Sequence, residues 1–329
     1  TVGSVPADGL GDLIKAGNRL YAAGTNSLTA ISLADKIHKS NVAWKKKVNG
    51  NIQRLLAANG KLFAVTLNGQ IMAFGEGTPH PSMASKIPPA RNPARSRAAE
   101  LLKQTNARDG YCLWYGTDDL ALLESVLHES ELRILVVEPD RSTNDSLRRH
   151  FDSAGLYGKR VTIHQGTAKS FKAPPYIAHL VRLEASAARN LSKSTLVSIY
   201  DSVRPYGGAL SLPVSTHALV QKANLERAEI HTHDRDIVAF RTGALPDSGD
   251  WTHQYGDIAN SVKSDDSRLK LPLGVLWFGG SSNMDVLPRH GHGPPEQVVG
   301  GRMFIEGINS LSCRDVYTGR VLWIRRFPD

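Results

Sequence analysis

Gly116-Thr117-Asp118 and Glu138 are the residues of this chain best suited to ligand chemistry. Each site follows an apolar run. Tyr111-Cys112-Leu113-Trp114-Tyr115 ends at Gly116, and Arg133-Ile134-Leu135-Val136-Val137 ends at Glu138. A glycine lets backbone come close to a ligand because no Cβ stands in the way. An acidic side chain at the end of the next strand can accept hydrogen bonds from ribose hydroxyls. Together they point to a nucleotide-type ligand at the carboxyl ends of two adjacent strands.

Other groupings suit chemistry less well. His231 and His233 lie at i and i+2, on one face if the segment is a strand. A metal would want a third ligand, so the segment 231–236 reads as a polar hairpin turn and no metal site is expected. Arg289-His290-Gly291-His292-Gly293 would suit a carboxylate or phosphate, yet its glycines and following prolines read as a structural loop. No GxSxG nucleophile elbow appears. Cys112 and Cys313 fall in different segments, which argues against both a disulfide framework and a zinc site.

The elements that must position Gly116 and Glu138 follow from periodicity. Asp118-Asp119 opens a helix with apolar residues at Leu120, Leu122, Leu123, Val126 and Leu127. Strand, helix, strand is the βαβ unit of a parallel sheet. The segment 94–105 reads as a preceding helix with Ala98, Leu101 and Leu102 on one side. Ser142-Thr143-Asn144-Asp145 starts another, with Leu147, Phe151 and Leu156 as its apolar face. Segments 160–166 and 176–183 read as a third and fourth strand. A helix over 191–203 ends at Arg204-Pro205-Tyr206-Gly207-Gly208, before a strand at 209–212. A helix over 216–223 and a hairpin of 228–231 with 237–241 close the pattern.

The flanks have another rhythm. Ala16-Gly17-Asn18-Arg19-Leu20-Tyr21, Ala58-Asn59-Gly60-Lys61-Leu62-Phe63 and Val299-Gly300-Gly301-Arg302-Met303-Phe304 each give a turn, a basic residue and an apolar–aromatic pair. Asn26, Asn68 and Asn309 follow, then a second apolar run. Strand, turn, strand repeated in this way is the signature of propeller blades. The last copy continues through Asp315, Thr318-Gly319 and Trp323. With that ending, residues 10–75 and 270–325 resemble the blades of quinoprotein-type (PQQ-like) propellers. The resemblance implies that the aspartate, glycine and tryptophan lock one blade against the next. At about 40–45 residues per blade, the chain outside the middle domain makes about four blades.

Residues 94–243 resemble the class I S-adenosylmethionine-dependent methyltransferases. The helix before the first strand, the acidic end of strand two, the turn at 204–208 and the closing hairpin carry the resemblance. It implies an α/β Rossmann-like domain that binds S-adenosylmethionine. Tyr115, Gly116, Thr117 and Asp118 would surround the methionine part, Glu138 would hold the ribose, and Gly166 and Thr167 would stand beside the adenine. The chain departs from the family in its loop, which has one glycine where the family has GxGxG. Asp118 and Asp119 narrow and acidify that loop, and either carboxylate could hold the cofactor's amino group. Gly166-Thr167 stand where the family offers an acidic residue. Glu184 is the only group after strand four able to position or deprotonate a methyl acceptor.

The expected organisation is therefore an α/β Rossmann-like, methyltransferase-like domain at 94–243 inserted in an all-β PQQ-like propeller. Blades occupy 1–75 and 244–329, and a proline-rich linker occupies 76–93. That combination resembles a fused family with both parts on one polypeptide. The chain starts without Met and reads as a piece of a longer protein, whose remaining blades would be its partners. Of its residues 22% are charged and 41% hydrophobic, as in globular proteins generally. The net charge is +9, but the basic residues are scattered and form no stripe with interleaved aromatics, so no nucleic-acid partner is expected. No apolar stretch approaches a membrane span. The propeller favours an exported or periplasmic location, and the cofactor favours the cytoplasm. S-adenosylmethionine binding, with methyl transfer to an unknown small-molecule or protein acceptor, is the leading expectation. The alternatives are a non-catalytic interaction scaffold and a fragment of a quinone-dependent dehydrogenase, although PQQ itself is not expected.

Overall fold

The chain folds into two compact units, Thr1–Pro81 and Ser82–Asp329. The computed structural model describes residues 5–33, 41–76, 92–279, 286–287 and 294–328. Most of the proline-rich linker and the loop 289–293 lie outside the described residues.

In the first unit, β1 (Asp12–Ala16), β2 (Arg19–Gly24), β3 (Ser27–Ser32) and β4 (Asn41–Lys47) form one antiparallel sheet. β5 (Ile52–Ala58), β6 (Lys61–Thr66) and β7 (Ile71–Phe74) form a second. The period of two is plain in β6, where Leu62 and Ala64 are buried while Lys61 and Val65 face out. Ala23, Leu28, Ile52, Leu55, Leu62 and Ala64, drawn from both sheets, make one core. Asp12 Oδ2 accepts from the Leu55 amide at 2.8 Å, which ties the two sheets at their edges.

The second unit opens with α1 (Asn92–Thr105), β8 (Asp109–Tyr115), α2 (Leu120–Glu129), β9 (Glu131–Glu138), α3 (Arg141–Ser153) and β10 (Val161–Gln165). β11 (Ala178–Leu183), α4 (Ala185–Ala188), α5 (Lys193–Tyr200), β12 (Gly208–Pro213), α6 (His217–Ala223), β13 (Ala228–Thr232) and β14 (Asp236–Arg241) follow. The seven strands make one sheet in the order β10-β9-β8-β11-β12-β14-β13. The first five are parallel, and β14 runs antiparallel between β12 and β13. This is a Rossmann-like, mostly parallel sheet with one antiparallel strand.

Side-chain alternation along β8 decides which helices cover which face. Cys112 and Trp114 point to the side of α1, α2 and α3, while Leu113 and Tyr115 point to the side of α5 and α6. Both faces of the central strands are therefore buried, as their unbroken apolar runs require. Several boundaries differ from the expected ones because capping decided them. Asp140 Oδ1 accepts from the Thr143 amide at 2.7 Å, so α3 begins before Ser142. Ser192 Oγ accepts from the Thr195 amide at 3.1 Å, so α5 starts only at Lys193. The connection 166–177 between β10 and β11 carries no helix.

β15 (Gln297–Val299), β16 (Arg302–Gly307), β17 (Ser310–Asp315) and β18 (Val321–Arg326) form a third antiparallel sheet. Residues 244–279 add no strand or helix. All three sequence repeats fold as the same hairpin: β2 with β3, β6 with β7, and β16 with β17. Asn26 and Asn309 hold left-handed backbone at the turns, with φ of 51° and 48°.

Two expectations about these sheets need correction. Among the described residues there are three antiparallel sheets rather than about four blades, and none closes into a propeller. Asp315 does not lock one blade to another. It accepts from the amides of Tyr317 and Thr318 within its own turn, at 2.9 and 3.2 Å, and its other oxygen meets Arg204 of the α/β domain. The third sheet is thus fastened at the amino-terminal ends of the parallel strands, beside His179 at the start of β11 and Asp109 at the start of β8. That leaves the carboxyl ends, where open α/β sheets bind ligands, at the opposite edge.

Candidate functional site

The strand order reverses between β8 and β11, so the crevice beyond their carboxyl ends is the natural ligand position. Gly116 makes the first turn there. Its φ is +87°, and its amide donates to the Val137 carbonyl at 3.0 Å. A Cβ at this position would stand 2.9 Å from Ser186 Oγ and 3.0 Å from Glu184 Cβ. Conformation and space both demand glycine here.

Glu138 ends β9 and is 8% exposed. Thr117 Oγ1 donates to its Oε2 at 2.8 Å, and the Asp140 amide donates to its Oε1 at 3.1 Å. Each carboxylate oxygen therefore has one partner from the protein and room for a further donor from a ligand. The turn beneath is held by Asn144, whose Nδ2 donates to the carbonyls of Glu138 and Asp140 at 2.8 and 2.6 Å. The Gly166 amide also donates to the Glu138 carbonyl, at 3.1 Å, and so joins the ends of β9 and β10.

Tyr115, Gly116, Thr117, Asp118, Glu138, Gly166 and Thr167 line a single cavity of about 640 Å³. That volume lies within the ordinary range for small-molecule and cofactor pockets. Asp118 sits at its rim, and its Oδ2 accepts from the Ser186 amide at 2.7 Å. Asp119 is turned away: its Oδ1 caps α2 by accepting from the Leu122 amide at 3.0 Å, and its Oδ2 is paired with Arg97. Of the two loop carboxylates, only Asp118 is left to meet a ligand's ammonium group. Lys169, Asn190, Leu191, Ser192, Ser194 and Thr195 also line it, and no motif in the sequence singles them out. Ser192-Lys193-Ser194-Thr195 is a helix-start pattern, but nothing in it says that this helix start turns toward Gly116.

The structure does not bring Glu184 into that cavity. Glu184 precedes α4, and its amide donates to the Tyr115 carbonyl at 2.9 Å. Its carboxyl lines a neighbouring cavity of about 660 Å³ with Arg97, Asp119, Arg182 and Asp236. Burial pushes that carboxyl up to about 7. Arg182 opposes the shift, and Asp118, Asp119 and Asp236 add to it.

No family model matches the chain, and no curated protein matches it. Solved structures do. One is assigned as an S-adenosyl-L-methionine-dependent methyltransferase from Methanococcus maripaludis. It is 14% identical, with a TM-score of 0.40 over 47% of this chain and 88% of that one. A SAM-dependent methyltransferase from Aquifex aeolicus is 9% identical, with a TM-score of 0.37 over 44% of this chain and 87% of that one. Coclaurine N-methyltransferase, bound to N-methylheliamine and SAH, is 14% identical. Its TM-score is 0.30, over 36% of this chain and 34% of that one.

His231 and His233 lie apart from the 640 Å³ cavity. His231 Nε2 meets Glu229 Oε1 at 2.9 Å on the exposed outer strand β13, and His233 lines the cavity of Glu184. Among the described residues no group of three His, Cys, Asp or Glu side chains is placed to hold a metal ion. Nor is any described helix long and apolar enough to cross a membrane.

Proposed function

We propose that the α/β domain binds S-adenosylmethionine in the 640 Å³ cavity and donates its methyl group to an acceptor. One observation carries this reading: Glu138 is fixed at the end of β9, with both carboxylate oxygens oriented by Thr117 and Asp140, directly beside the Gly116 turn. A pair of ribose hydroxyls suits those two oxygens. Asp118 suits an ammonium group at the other end, and Val137, Ala168, Ala187 and Leu191 offer apolar wall to a planar ring. The donor set fits the cofactor, and among the described residues of the wall Lys169 is the one cation.

Bound there, S-adenosylmethionine supplies an electrophilic methyl group for direct displacement. The residues of this chain contribute alignment and exclusion of water. Calorimetry with S-adenosylmethionine and S-adenosylhomocysteine tests the reading, with binding in the micromolar range as the expected result. No heat of binding at millimolar cofactor would overturn it.

A further inference from the structure

Each flanking repeat passes from its turn into a basic residue, and two of those residues meet in the first unit. Arg19 follows the turn 17–18 and Lys61 follows the turn 59–60. Both line a cavity of about 970 Å³ between the two sheets, where Lys46 of β4 joins them. Among the described residues none of the three forms an ion pair. Register makes one wall aromatic. Tyr21 of β2 and Trp44 of β4 both stand opposite Ala30 of β3. The small alanine between them lets the rings approach, with centroids 6.0 Å apart and planes tilted by 52°. Phe74 adds a third ring from the end of β7, and Lys46 Nζ stands 6.0 Å from its centroid. The three rings are half-buried: they pack against the core of the unit and keep a side toward the cavity.

The space stays open because the second sheet offers Ala57, Ala58, Gly60 and Gly75 at this end, where the core further in has Ile52 and Leu55. A Cβ on Gly60 would meet nothing within 4 Å. Among the described residues Glu76 is the one carboxylate in the wall. Asp8 and Asp12 of the same unit are turned to backbone: they accept from the amides of Thr25 and Leu55, each at 2.8 Å. The cavity is thus cationic and aromatic at once. We propose that it binds an aryl carboxylate, whose charge meets Arg19, Lys46 and Lys61 and whose flat apolar body meets Tyr21, Trp44 and Phe74. The wall disfavours other classes. A bare inorganic anion would leave the rings unused, and an aromatic amine would meet three like charges. A sugar would bring hydroxyls that find few partners, because among the described residues no serine or threonine lines the cavity and Asn59 is its one side-chain amide. The site lies within the first unit, so it stands whether or not the α/β domain takes S-adenosylmethionine.

The experiment titrates three probes into the whole chain at low salt and neutral pH, followed by NMR: 2-naphthoate, its neutral counterpart 2-naphthamide, and cyclohexanecarboxylate, which has the charge without the aromatic ring. The expected result is 2-naphthoate binding about tenfold tighter than either of the others, and weakening as salt is raised. Arg19 and Lys61 are exposed, so the double variant Arg19→Gln/Lys61→Gln should keep the parent's thermal unfolding and its weak affinity for 2-naphthamide. Its affinity for 2-naphthoate should fall about tenfold, to the level of the amide. Trp44 is the one tryptophan of the first unit, so NOEs from naphthyl protons to its indole should locate the ligand in the unmutated chain, independently of the variant. No binding of 2-naphthoate at millimolar concentration, or equal affinity for 2-naphthoate and either of the other probes, would overturn the proposal. So would full 2-naphthoate affinity in the folded double variant, or bound 2-naphthoate that shows no NOE to Trp44.

Discussion

The carboxylate of Asp315 is paired with the guanidinium of Arg204 at a depth where Asp315 is 0% exposed. One residue ends β17 of the third sheet, and the other begins the turn before β12 of the α/β domain. His179 Nε2 lies 3.6 Å from the same carboxylate, and Arg320 reaches back to Asp109 at 3.0 Å. Two ion pairs, Asp315 with Arg204 and Arg320 with Asp109, thus fasten an antiparallel sheet beneath the parallel one, on the edge away from the candidate cofactor site.

Asp315→Ala should therefore undo the attachment of the third sheet. Breaking a buried pair leaves Arg204 charged and without its partner, which costs about 3–5 kcal/mol. Denaturant unfolding should show the loss, and hydrogen exchange should show β16 to β18 losing protection first. Unchanged protection in those strands would mean that the pair is not what holds them.

Glu138→Ala should weaken S-adenosylhomocysteine binding by about 1–3 kcal/mol, the scale of lost hydrogen bonds to a charged group. Isothermal titration reads this directly. Thr117→Val removes one of the two donors that orient the carboxylate and should give a smaller loss. If Glu138→Ala bound the ligand as well as the parent chain, the ribose assignment would be wrong.

Gly116→Ala combines two penalties. Left-handed backbone costs a residue with a Cβ about 1–2 kcal/mol, and here that Cβ also crowds Ser186 Oγ and Glu184 Cβ. Gly158, at φ +75°, has nothing within 4 Å of its would-be Cβ. Gly158→Ala should therefore show the backbone term alone. Thermal unfolding should place Gly116→Ala below Gly158→Ala, and only the former should lose ligand affinity.

Glu184 gives the stability a pH signature. Its folded-state value of about 7 lies above its ordinary 4.5, so the folded chain binds the extra proton between those values. Stability from this group is fully present below pH 4.5 and is lost as pH rises toward 7, by up to about 3 kcal/mol. His179 runs the other way. Burial and Arg204 push it down to about 4 while Asp315 opposes them, so its contribution is present above pH 6.5 and lost as pH falls. The two slopes overlap, and a single midpoint curve would hide both. The difference between Glu184→Gln and the parent isolates the first: the variant should gain on the parent steadily from pH 4.5 to 7 and hold its advantage above. A difference independent of pH would show that Glu184 titrates normally.

Local sequence determined a good deal of this molecule by itself. Short apolar, β-branched runs such as 112–115 and 134–137 read as strands buried on both faces, and the helical spacing from Leu120 to Leu127 supplies the connection between them. The three hairpin repeats were equally plain, because a Gly/Asn turn between short apolar runs encodes its own geometry. The gathering of Tyr115, Gly116, Thr117, Asp118, Glu138, Gly166 and Thr167 around one cavity follows from strand ends, which lie on the same edge of a parallel sheet.

Tertiary structure decided what local pattern could not reach. Asp118 and Asp119 are neighbours of the same chemistry. One faces the cavity and the other caps α2 against Arg97, because the helix begins between their two directions. Glu184 follows its strand as expected, yet its carboxyl turns to the opposite side of the Gly116 loop, where burial rather than spacing sets its proton affinity. Asp315 carries the motif of a blade residue and found its partner in Arg204, more than a hundred positions earlier in the chain. Periodicity reports which face of an element is apolar. Only packing reports which distant charge will be waiting there, because pairing of buried charges depends on the complete three-dimensional neighbourhood.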